Sequence, residues 1–264
     1  MIAYFILGII IPDLKSVNIT ATWRGIAVSG NGSIITAVSS GEPAAPDSAG
    51  IYVSNDYGDT FNIALNTSQY GWQTVGMSFD GQFQTAAAQL TSGVNGDIFR
   101  SIDYGVSWSP TNYGNQNWER IDMSNDGKYQ TITSTNGVSI SKDFGQTWTL
   151  TLNGNPPTIR GVGISGDGSI QAAGSNDGIY LSNNFGENWT LIFVPPSTQF
   201  FFTGAVSDTG EYQTFPGFGT GISDIWQTEN FGNAWNLSAF VRPTLWFASA
   251  MSGNGDVQLI GSNL

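Results

Sequence analysis

The sequence predicts an all-β fold, a six-bladed β-propeller of four-stranded blades in which the N-terminal segment closes the last blade. Three observations lead to this prediction. An eight-residue turn pattern occurs five times, a strand-and-turn pattern occurs six times, and both recur along the whole chain of 264 residues. Their spacing of roughly 40–50 residues is typical of repeat architectures, in which each unit buries its apolar face against its neighbours.

The turn pattern reads S/T-x-D/N-aromatic-G-x-x-aromatic, and its copies begin at Ser54, Ser101, Ser141, Ser182 and Thr228. The third residue accepts backbone N–H groups of the turn, and the glycine supplies a positive φ. The closing aromatic packs back between neighbouring strands. The third-position residues are therefore predicted to be structural: Asp56, Asp103, Asp143, Asn184 and Asn230.

The second pattern is a short apolar strand that ends in an S-x-D/N/T-G turn, a type that joins antiparallel strands. Its copies begin at Trp23, Trp72, Trp118, Ile159, Phe201 and Trp246. Second strands are predicted at Ile34–Ser39, Tyr129–Ser134 and Ile170–Gly174, and third strands at Gly50–Ser54 and Gly178–Ser182. A fourth strand carries each closing aromatic. Four strands in each of six units predict one propeller domain over residues 1–264.

The sixth unit is incomplete, with strands predicted near Leu245–Met251 and Asp256–Gly261 and no turn pattern after them. Residues 1–22 contain what it lacks. Tyr4–Ile11 is rich in the residues that favour strands, and Asp13–Ile19 resembles a shortened turn pattern. We therefore expect residues 2–20 to pair with residues 245–261. The alternative is that a neighbouring subunit donates these strands, which makes a homo-oligomer.

The turn pattern resembles the Asp-box, or bacterial neuraminidase repeat. That box lies between the third and fourth strands of propeller blades in sialidases, sortilin-type receptors, photosystem II assembly factors and xyloglucan hydrolases. The resemblance implies a propeller but no single activity, since one fold hosts unrelated functions. The D-G-x-Y/F-Q pattern at Asp80–Gln84 and Asp126–Gln130 also resembles Asp-box repeat proteins of large DNA viruses.

Composition narrows the function classes. The chain has no Cys and no His, which excludes disulfides, Cys or His catalysis and the usual zinc sites. Eight basic and twenty acidic residues give a net charge of −12, which argues against a nucleic-acid partner. The surface rich in Asn, Thr and Gly is typical of extracellular and virion-surface proteins. Met1–Ile11 is too short to span a membrane. We expect other proteins of a surface assembly, or glycans, as partners.

Candidate binding residues lie at the starts of the predicted first strands. Arg24 and Arg160 share one register position, and Arg120 follows one residue later. The three arginines either converge at one mouth of the channel or form salt bridges and caps. Four tryptophans also begin first strands and either pack between blades or form a sugar-stacking platform: Trp23, Trp72, Trp118 and Trp246.

No catalytic residue, metal ligand or cofactor is assigned. Sialidases use three arginines, a Tyr nucleophile assisted by Glu and an Asp acid/base, and their F/Y-R-I-P motif is absent here. The repeats leave four carboxylates unexplained, and no sequence rule pairs them as a glycosidase requires: Glu119, Asp122, Glu211 and Asp224. Asp122 replaces a small residue and either lines the channel or forms a local hydrogen-bonding site. The leading hypothesis is a non-catalytic structural or interaction module; the alternative is a glycan-binding or glycoside-hydrolysing domain.

Overall fold

The computed structural model describes residues 21–40, 49–66, 70–89, 96–114, 116–153, 158–219, 222–238 and 245–263. Within these ranges all regular secondary structure is β-strand, and the strands form six antiparallel sheets, numbered one to six in chain order. The all-β prediction is thereby confirmed, and six successive sheets fit a six-bladed β-propeller. The predicted closing strands in residues 2–20 lie outside the described residues.

The first three sheets each contain four strands that follow one another in sequence. Sheet one contains β1 (Trp23–Val28), β2 (Ile35–Ser39), β3 (Gly50–Ser54) and β4 (Asn62–Asn66). Sheet two contains β5 (Gly71–Met77), β6 (Gln84–Gln89), β7 (Ile98–Ser101) and β8 (Ser109–Pro110). Sheet three contains β9 (Trp118–Met123), β10 (Gln130–Ser134), β11 (Gly137–Ser141) and β12 (Thr149–Leu152).

Sheet four keeps this plan, whereas sheets five and six depart from it. Sheet four contains β13 (Ile159–Ile164), β14 (Gln171–Ser175), β15 (Ile179–Ser182) and β16 (Thr190–Phe193). Sheet five contains β17 (Gln199–Phe201), β18 (Ala205–Val206), β19 (Gln213–Gly219), β20 (Ile222–Thr228) and β21 (Asn236–Leu237). Sheet six contains β22 (Leu245–Met251) and β23 (Gln258–Asn263) within the described residues.

The predicted first strand of the fifth unit is broken in the structure. Both β17 and β18 pair with β19, and the residues between them leave the ladder. Gly204 lies in this break, where an added Cβ would stand 2.8 Å from Cδ1 of Phe215. The chain therefore passes directly over a buried aromatic ring, an approach that a glycine allows.

The core lies between the faces of successive sheets and is formed by the inward residues of the strands. Trp72 and Trp118 are fully buried, and the Trp72 ring meets the Phe99 ring at 5.1 Å with an edge-on geometry. Small residues of the first strands also lie in these contacts. A Cβ on Gly163 would approach Cγ2 of Val206 at 2.7 Å. The small residues therefore let neighbouring sheets approach each other.

The five aromatic–glycine turns have the hydrogen bonds expected from the sequence. In the copy at Ser141, Oδ1 of Asp143 accepts the N–H of Thr147 at 2.8 Å, and Oδ2 accepts its hydroxyl at 2.6 Å. The serine hydroxyl accepts the N–H of Gly145 at 2.9 Å. The aromatic residue before the glycine also has a positive φ in all five copies, 61° at Phe144. The sequence had placed a positive φ at the glycine alone.

Glutamine and threonine side chains link neighbouring sheets. In sheets two to six, a glutamine begins β6, β10, β14, β19 and β23 in turn. Its amide donates to the carbonyl of the preceding turn glycine, as Gln84 does to Gly81 at 3.0 Å. Its Oε1 accepts a threonine hydroxyl from the preceding sheet at four of these five positions. The pairs are Thr36–Gln84, Thr85–Gln130, Thr131–Gln171 and Thr214–Gln258, each at 2.6 Å.

Candidate functional site at the channel end

The candidate site is built from the second residue of each first-strand repeat. These residues are Arg24, Gln73, Glu119, Arg160, Phe202 and Phe247, and together with Arg120 they are called the channel end. The opposite end of each first strand leads into the S-x-D/N/T-G turn. In a propeller the first strands run in the same direction along the central axis, so these second residues are expected to lie at one end of it.

Local backbone irregularities position these side chains. In the β1–β2 ladder the pairing skips from Trp23 to Gly25, which leaves Arg24 as an extra residue. The same shift occurs at Gln73, Arg160 and Phe247 in their own ladders. β-bulges re-aim a side chain and are frequent beside functional sites. Sheet three is irregular at Glu119–Arg120, and sheet five is broken immediately after Phe201.

The channel-end side chains contact one another from sheet to sheet. Nε of Arg160 lies 3.5 Å from Oε1 of Glu119, and the Arg160 guanidinium carbon lies 4.8 Å from the centroid of the Phe202 ring. The Phe202 and Phe247 centroids are 6.1 Å apart. Arg120 donates to the main-chain carbonyl of Phe247 at 3.4 Å and so joins sheet three to sheet six. The cluster therefore spans sheets three to six.

The charges at this end are unbalanced. Burial lowers the pKa of the Arg120 guanidinium; the positive charges of Arg160 and Arg24 lower it further, while Glu119 opposes them. Burial likewise raises the pKa of the Glu119 carboxyl, against the pull of Arg160 and Arg120. Arginine remains protonated in proteins. Three positive charges and one negative charge thus act on the same small region.

Arg160 keeps an unused hydrogen-bond donor. Its Nε is buried and has no hydrogen-bond partner in the structure, because the 3.5 Å separation from Glu119 is an ion pair rather than a hydrogen bond. Arg24 is exposed, and its Nε donates to the hydroxyl of Ser40 at 3.3 Å. The arginine side chains therefore have donor capacity that their protein contacts do not exhaust.

The four strand-entry tryptophans lie apart from this cluster. Trp72 and Trp118 are fully buried and Trp246 nearly so, each packed among the sheets. Trp23 is partly buried, and its ring meets Tyr52 at 5.1 Å. These positions match the packing alternative, and the exposed aromatic surface at the channel end belongs to Phe247 instead, whose side chain is 42% exposed.

The carboxylates left over from the repeats have local partners. Asp122 accepts the N–H of Met123 at 2.9 Å and that of Ile164, in the next sheet, at 3.0 Å. Burial raises the Asp122 pKa to about 7, and these two hydrogen bonds oppose the rise. Asp224 is buried and accepts from the Gln199 side chain. Asp122 is thus the local hydrogen-bonding site, one of the two alternatives left open by the sequence.

Glu211 contributes its main chain to the fold. Its carbonyl accepts the N–H of Phe231 in the last aromatic–glycine turn at 3.1 Å, and its side chain is partly exposed. In the described part of the chain, no three acidic residues come together as a group that could hold a metal ion. The same residues contain no helix long and apolar enough to cross a membrane.

The sequence analysis missed three of the seven residues of the channel end. It singled out the arginines but not Gln73, Phe202 and Phe247, which occupy the same register position in other units. The signal was present: aligning the second residue of all six repeats gives R, Q, E, R, F and F. The side chain at this position varies in charge and polarity from unit to unit, unlike the apolar positions that recur in every unit. Such variation is expected where packing does not determine the side chain.

Comparison with solved structures supports the propeller fold. The chain resembles the GH74 enzyme of Niastella koreensis with a TM-score of 0.66 and 16% identity, covering 85% of this chain and 38% of that one. An ancestral GH74 enzyme matches with a TM-score of 0.71 and 14% identity over 91% of this chain and 35% of that one. A chain of a nidogen/laminin complex matches with a TM-score of 0.61 and 10% identity, covering 81% of this chain and 78% of that one.

These similarities establish a β-propeller and nothing finer. The chain spans less than two fifths of the length of either GH74 structure. No protein-family model and no curated protein matches the sequence.

Proposed function

We propose that this protein is a non-catalytic interaction module that binds an anionic group at the channel end. The observation that carries the proposal is the pair Arg120 and Arg160 beside one carboxylate, Glu119, with the charge of Arg24 close enough to act on Arg120. Three positive charges less one negative charge leave an excess of two, in a protein whose net charge is −12. A local positive cluster on so acidic a chain selects for a negatively charged ligand.

The geometry favours such a ligand for a physical reason. Partly buried like charges repel one another in a medium of low effective dielectric constant, and a bound anion relieves that repulsion. A guanidinium presents a planar fork of donors that matches a carboxylate, sulfate or phosphate. The rings of Phe202 and Phe247 offer an apolar face beside these donors.

The protein contacts of the candidate carboxylates support the non-catalytic part of the proposal. Glu119 is ion-paired with Arg160, and Asp122 and Asp224 accept hydrogen bonds inside the structure. A glycosidase needs two carboxyl groups that face a substrate from opposite sides. Three of the four candidate carboxylates are instead engaged with protein partners.

The composition of the chain and its resemblance to Asp-box proteins support one class of partner. We place the protein outside cells or on a virion, where its anionic partner is another protein of a surface assembly or a glycan. The low charged content of 11% and the resemblance to Asp-box proteins support this placement. Binding arrays of acidic glycans, neutral glycans and acidic peptides separate the two sources of the anion.

The arrays test the proposal with three variants of the chain. Arg24→Gln and Arg160→Gln each remove a positive charge from the channel end. Arg100→Gln is the matched control, because Arg100 is far along a different strand and bonds to Gln146 at 3.3 Å. We expect the first two variants to retain acidic ligands at least tenfold more weakly than the wild type does. The control is expected to retain them as the wild type does. Equal retention by all three, or indifference to ligand charge, contradicts the proposal.

A glycoside hydrolase is the second candidate, favoured by the likeness to the two GH74 enzymes. Fluorogenic sialosides and β-glucosides distinguish it from a binding module. The proposal expects no turnover above that of heat-denatured protein. If the wild type and Arg100→Gln turn over a substrate and Arg160→Gln does not, the channel end is a catalytic site and the proposal is wrong.

We also propose that residues 2–20 complete sheet six by pairing along residues 245–261. The described part of sheet six has two strands, whereas sheets one to four have four each. A two-stranded sheet leaves one edge of β23 open to further pairing. A donated strand from a second copy of the chain is the alternative and makes a homo-oligomer.

A further inference from the structure

Three contacts recur in the five seams between successive sheets, two of them in all five seams and the third in four. The first is a backbone hydrogen bond between the residues that follow the turn serines. It runs from Gly30 N–H to the Phe79 carbonyl at 2.7 Å and continues through Asn125, Gly166 and Asp208 to Gly253. All five bonds measure 2.7–2.9 Å, so they form one continuous chain around the axis, from sheet one to sheet six.

The second contact places a side chain of one sheet beneath the turn glycine of the next. An added Cβ on the glycine would lie 2.6–3.3 Å from the Cβ of that side chain in all five seams. The pairs are Ile34–Gly81, Phe83–Gly127, Tyr129–Gly168, Ile170–Gly210 and Tyr212–Gly255. The third contact is the threonine–glutamine hydrogen bond, present in four of the five seams.

The sixth seam, between sheets six and one, lacks these contacts among the described residues. By the repeat, Gly253 would donate to the Gly30 carbonyl and Val257 would lie beneath Gly32. Val257 is instead 57% exposed, and a Cβ on Gly32 would meet only Tyr57, at 3.9 Å. Among the described residues, the sixth seam is therefore open.

Both faces of the open seam are apolar. The positions of the threonine–glutamine pair hold Leu259 and Ile35, and Leu259 is 62% exposed. On sheet one, Ile26 is 67% exposed and Val28 is 51% exposed. Exposed contiguous apolar surface of this kind marks an interface.

We propose that this seam is a docking interface whose occupant is the same molecule: the face of sheet six bearing Val257 and Leu259 closes onto sheet one. Two of the three repeated contacts have both partners present on the facing sheets: Gly253 with Gly30, and Val257 with Gly32. Leu259 and Ile35 stand at the positions of the threonine–glutamine pair, so this contact can form by apolar packing without a hydrogen bond. An intramolecular partner also has a far higher effective concentration than a second copy of the chain.

Closure also bears on ligand binding, because Arg24 and Phe247 belong to the two sheets that the seam separates. This consequence rests on the proposed function, whereas the closure itself does not. A closed seam brings the sheet-one arginine against the sheet-six end of the cluster. An open seam leaves the channel end incomplete on that side.

The absence of cysteine from the chain makes a disulfide test clean. The double variant Gly32→Cys/Val257→Cys places two thiols across the sixth seam. The control, Gly255→Cys/Tyr212→Cys, places them across the formed seam between sheets five and six, where the Cβ separation is 2.9 Å. Both pairs use a glycine of similar φ, 76° and 80°, so the backbone strain is matched. The separation in the control pair is within about 1 Å of the mean Cβ–Cβ distance of a disulfide.

After mild oxidation in dilute solution, we expect both variants to form an intramolecular disulfide with similar yield, read by mass and non-reducing electrophoresis. A control that cross-links while the sixth-seam pair stays reduced overturns the proposal. Disulfide-linked dimers alone also overturn it and identify a second copy as the occupant.

A milder pair of variants covers the case in which the double variants fail to fold. Leu259→Cys reports the sixth seam, and Val106→Cys, at a position 69% exposed, is the reference for a free surface thiol. Closure is expected to slow alkylation at position 259 at least tenfold relative to position 106. Equal rates overturn the proposal.

Discussion

Ala172 occupies the position from which a threonine would donate to Gln213, and the Gln213 amide oxygen is buried without a hydrogen-bond partner. In the equivalent seams Thr36, Thr85 and Thr131 make that bond at 2.6 Å. The glutamine amide itself is satisfied, since it donates to Gly210 at 3.1 Å. The seam between sheets four and five therefore lacks one interaction of the repeat.

Ala172→Thr is expected to stabilise the fold by about 1 kcal/mol, because it supplies a donor to a buried, unpaired acceptor. Ala172→Val is the matched control, since valine has nearly the volume of threonine but no hydroxyl. The free energy of unfolding of the two variants, measured by denaturant titration, isolates the hydrogen bond. If threonine is no more stable than valine, the inter-sheet bond does not form.

Asp143→Ala is expected to lower the free energy of unfolding by roughly 1–3 kcal/mol, because the Thr147 N–H loses its acceptor. Asp143→Asn is the control. Asn184 fills the same position in another copy and accepts the equivalent N–H at 3.0 Å. We expect the asparagine variant to stay close to wild type and both variants to keep ligand binding. Lost binding with unchanged stability would give this turn a functional role.

Asp122 makes stability depend on pH between about 4 and 7. Burial raises its folded-state pKa to about 7 from an ordinary value of 3.8. Its stabilising contribution is therefore complete below the unfolded pKa and is lost as pH rises through the folded pKa. A shift of this size corresponds to roughly 4 kcal/mol.

Thermal unfolding of the wild type and of Asp122→Asn across pH 4–8 checks this dependence. We expect the melting temperature of the wild type to fall with rising pH relative to that of the asparagine variant. The aromatic–glycine turns act in a different window, since the hydrogen bonds from Thr60 and Ser54 lower the Asp56 pKa to about 2. Parallel curves for the two proteins would show that Asp122 is ionised in the fold throughout.

Deletion of residues 1–20 is expected to give insoluble or unfolded protein. Burial of four apolar side chains from this segment contributes about 1.5–3 kcal/mol each before the cost of ordering, a sum comparable to the stability of a domain. Light scattering of the full chain separates closure within one molecule from strand exchange, which keeps the mass above that of a monomer. A truncated chain that stays soluble, monomeric and equally heat-stable excludes both forms of closure.

The sequence predicted the repeats well because their residues act locally. A positive φ at Gly145 or an acceptor at Asp143 depends on only a few neighbouring residues. The channel end was harder to predict, because Phe202 approaches Arg160 only through the arrangement of whole sheets. The bulge at Arg24 and the break after Phe201 also depend on pairing across strands, which a local pattern does not encode.

The most direct test of an anion site at the channel end is the effect of citrate on thermal unfolding. A ligand that binds the native state raises the melting temperature by mass action. At constant ionic strength, millimolar citrate is expected to raise the melting temperature of the wild type and of Arg100→Gln by several degrees. The rise should be at most half as large in Arg24→Gln and Arg160→Gln. An equal response in all four proteins would contradict the account.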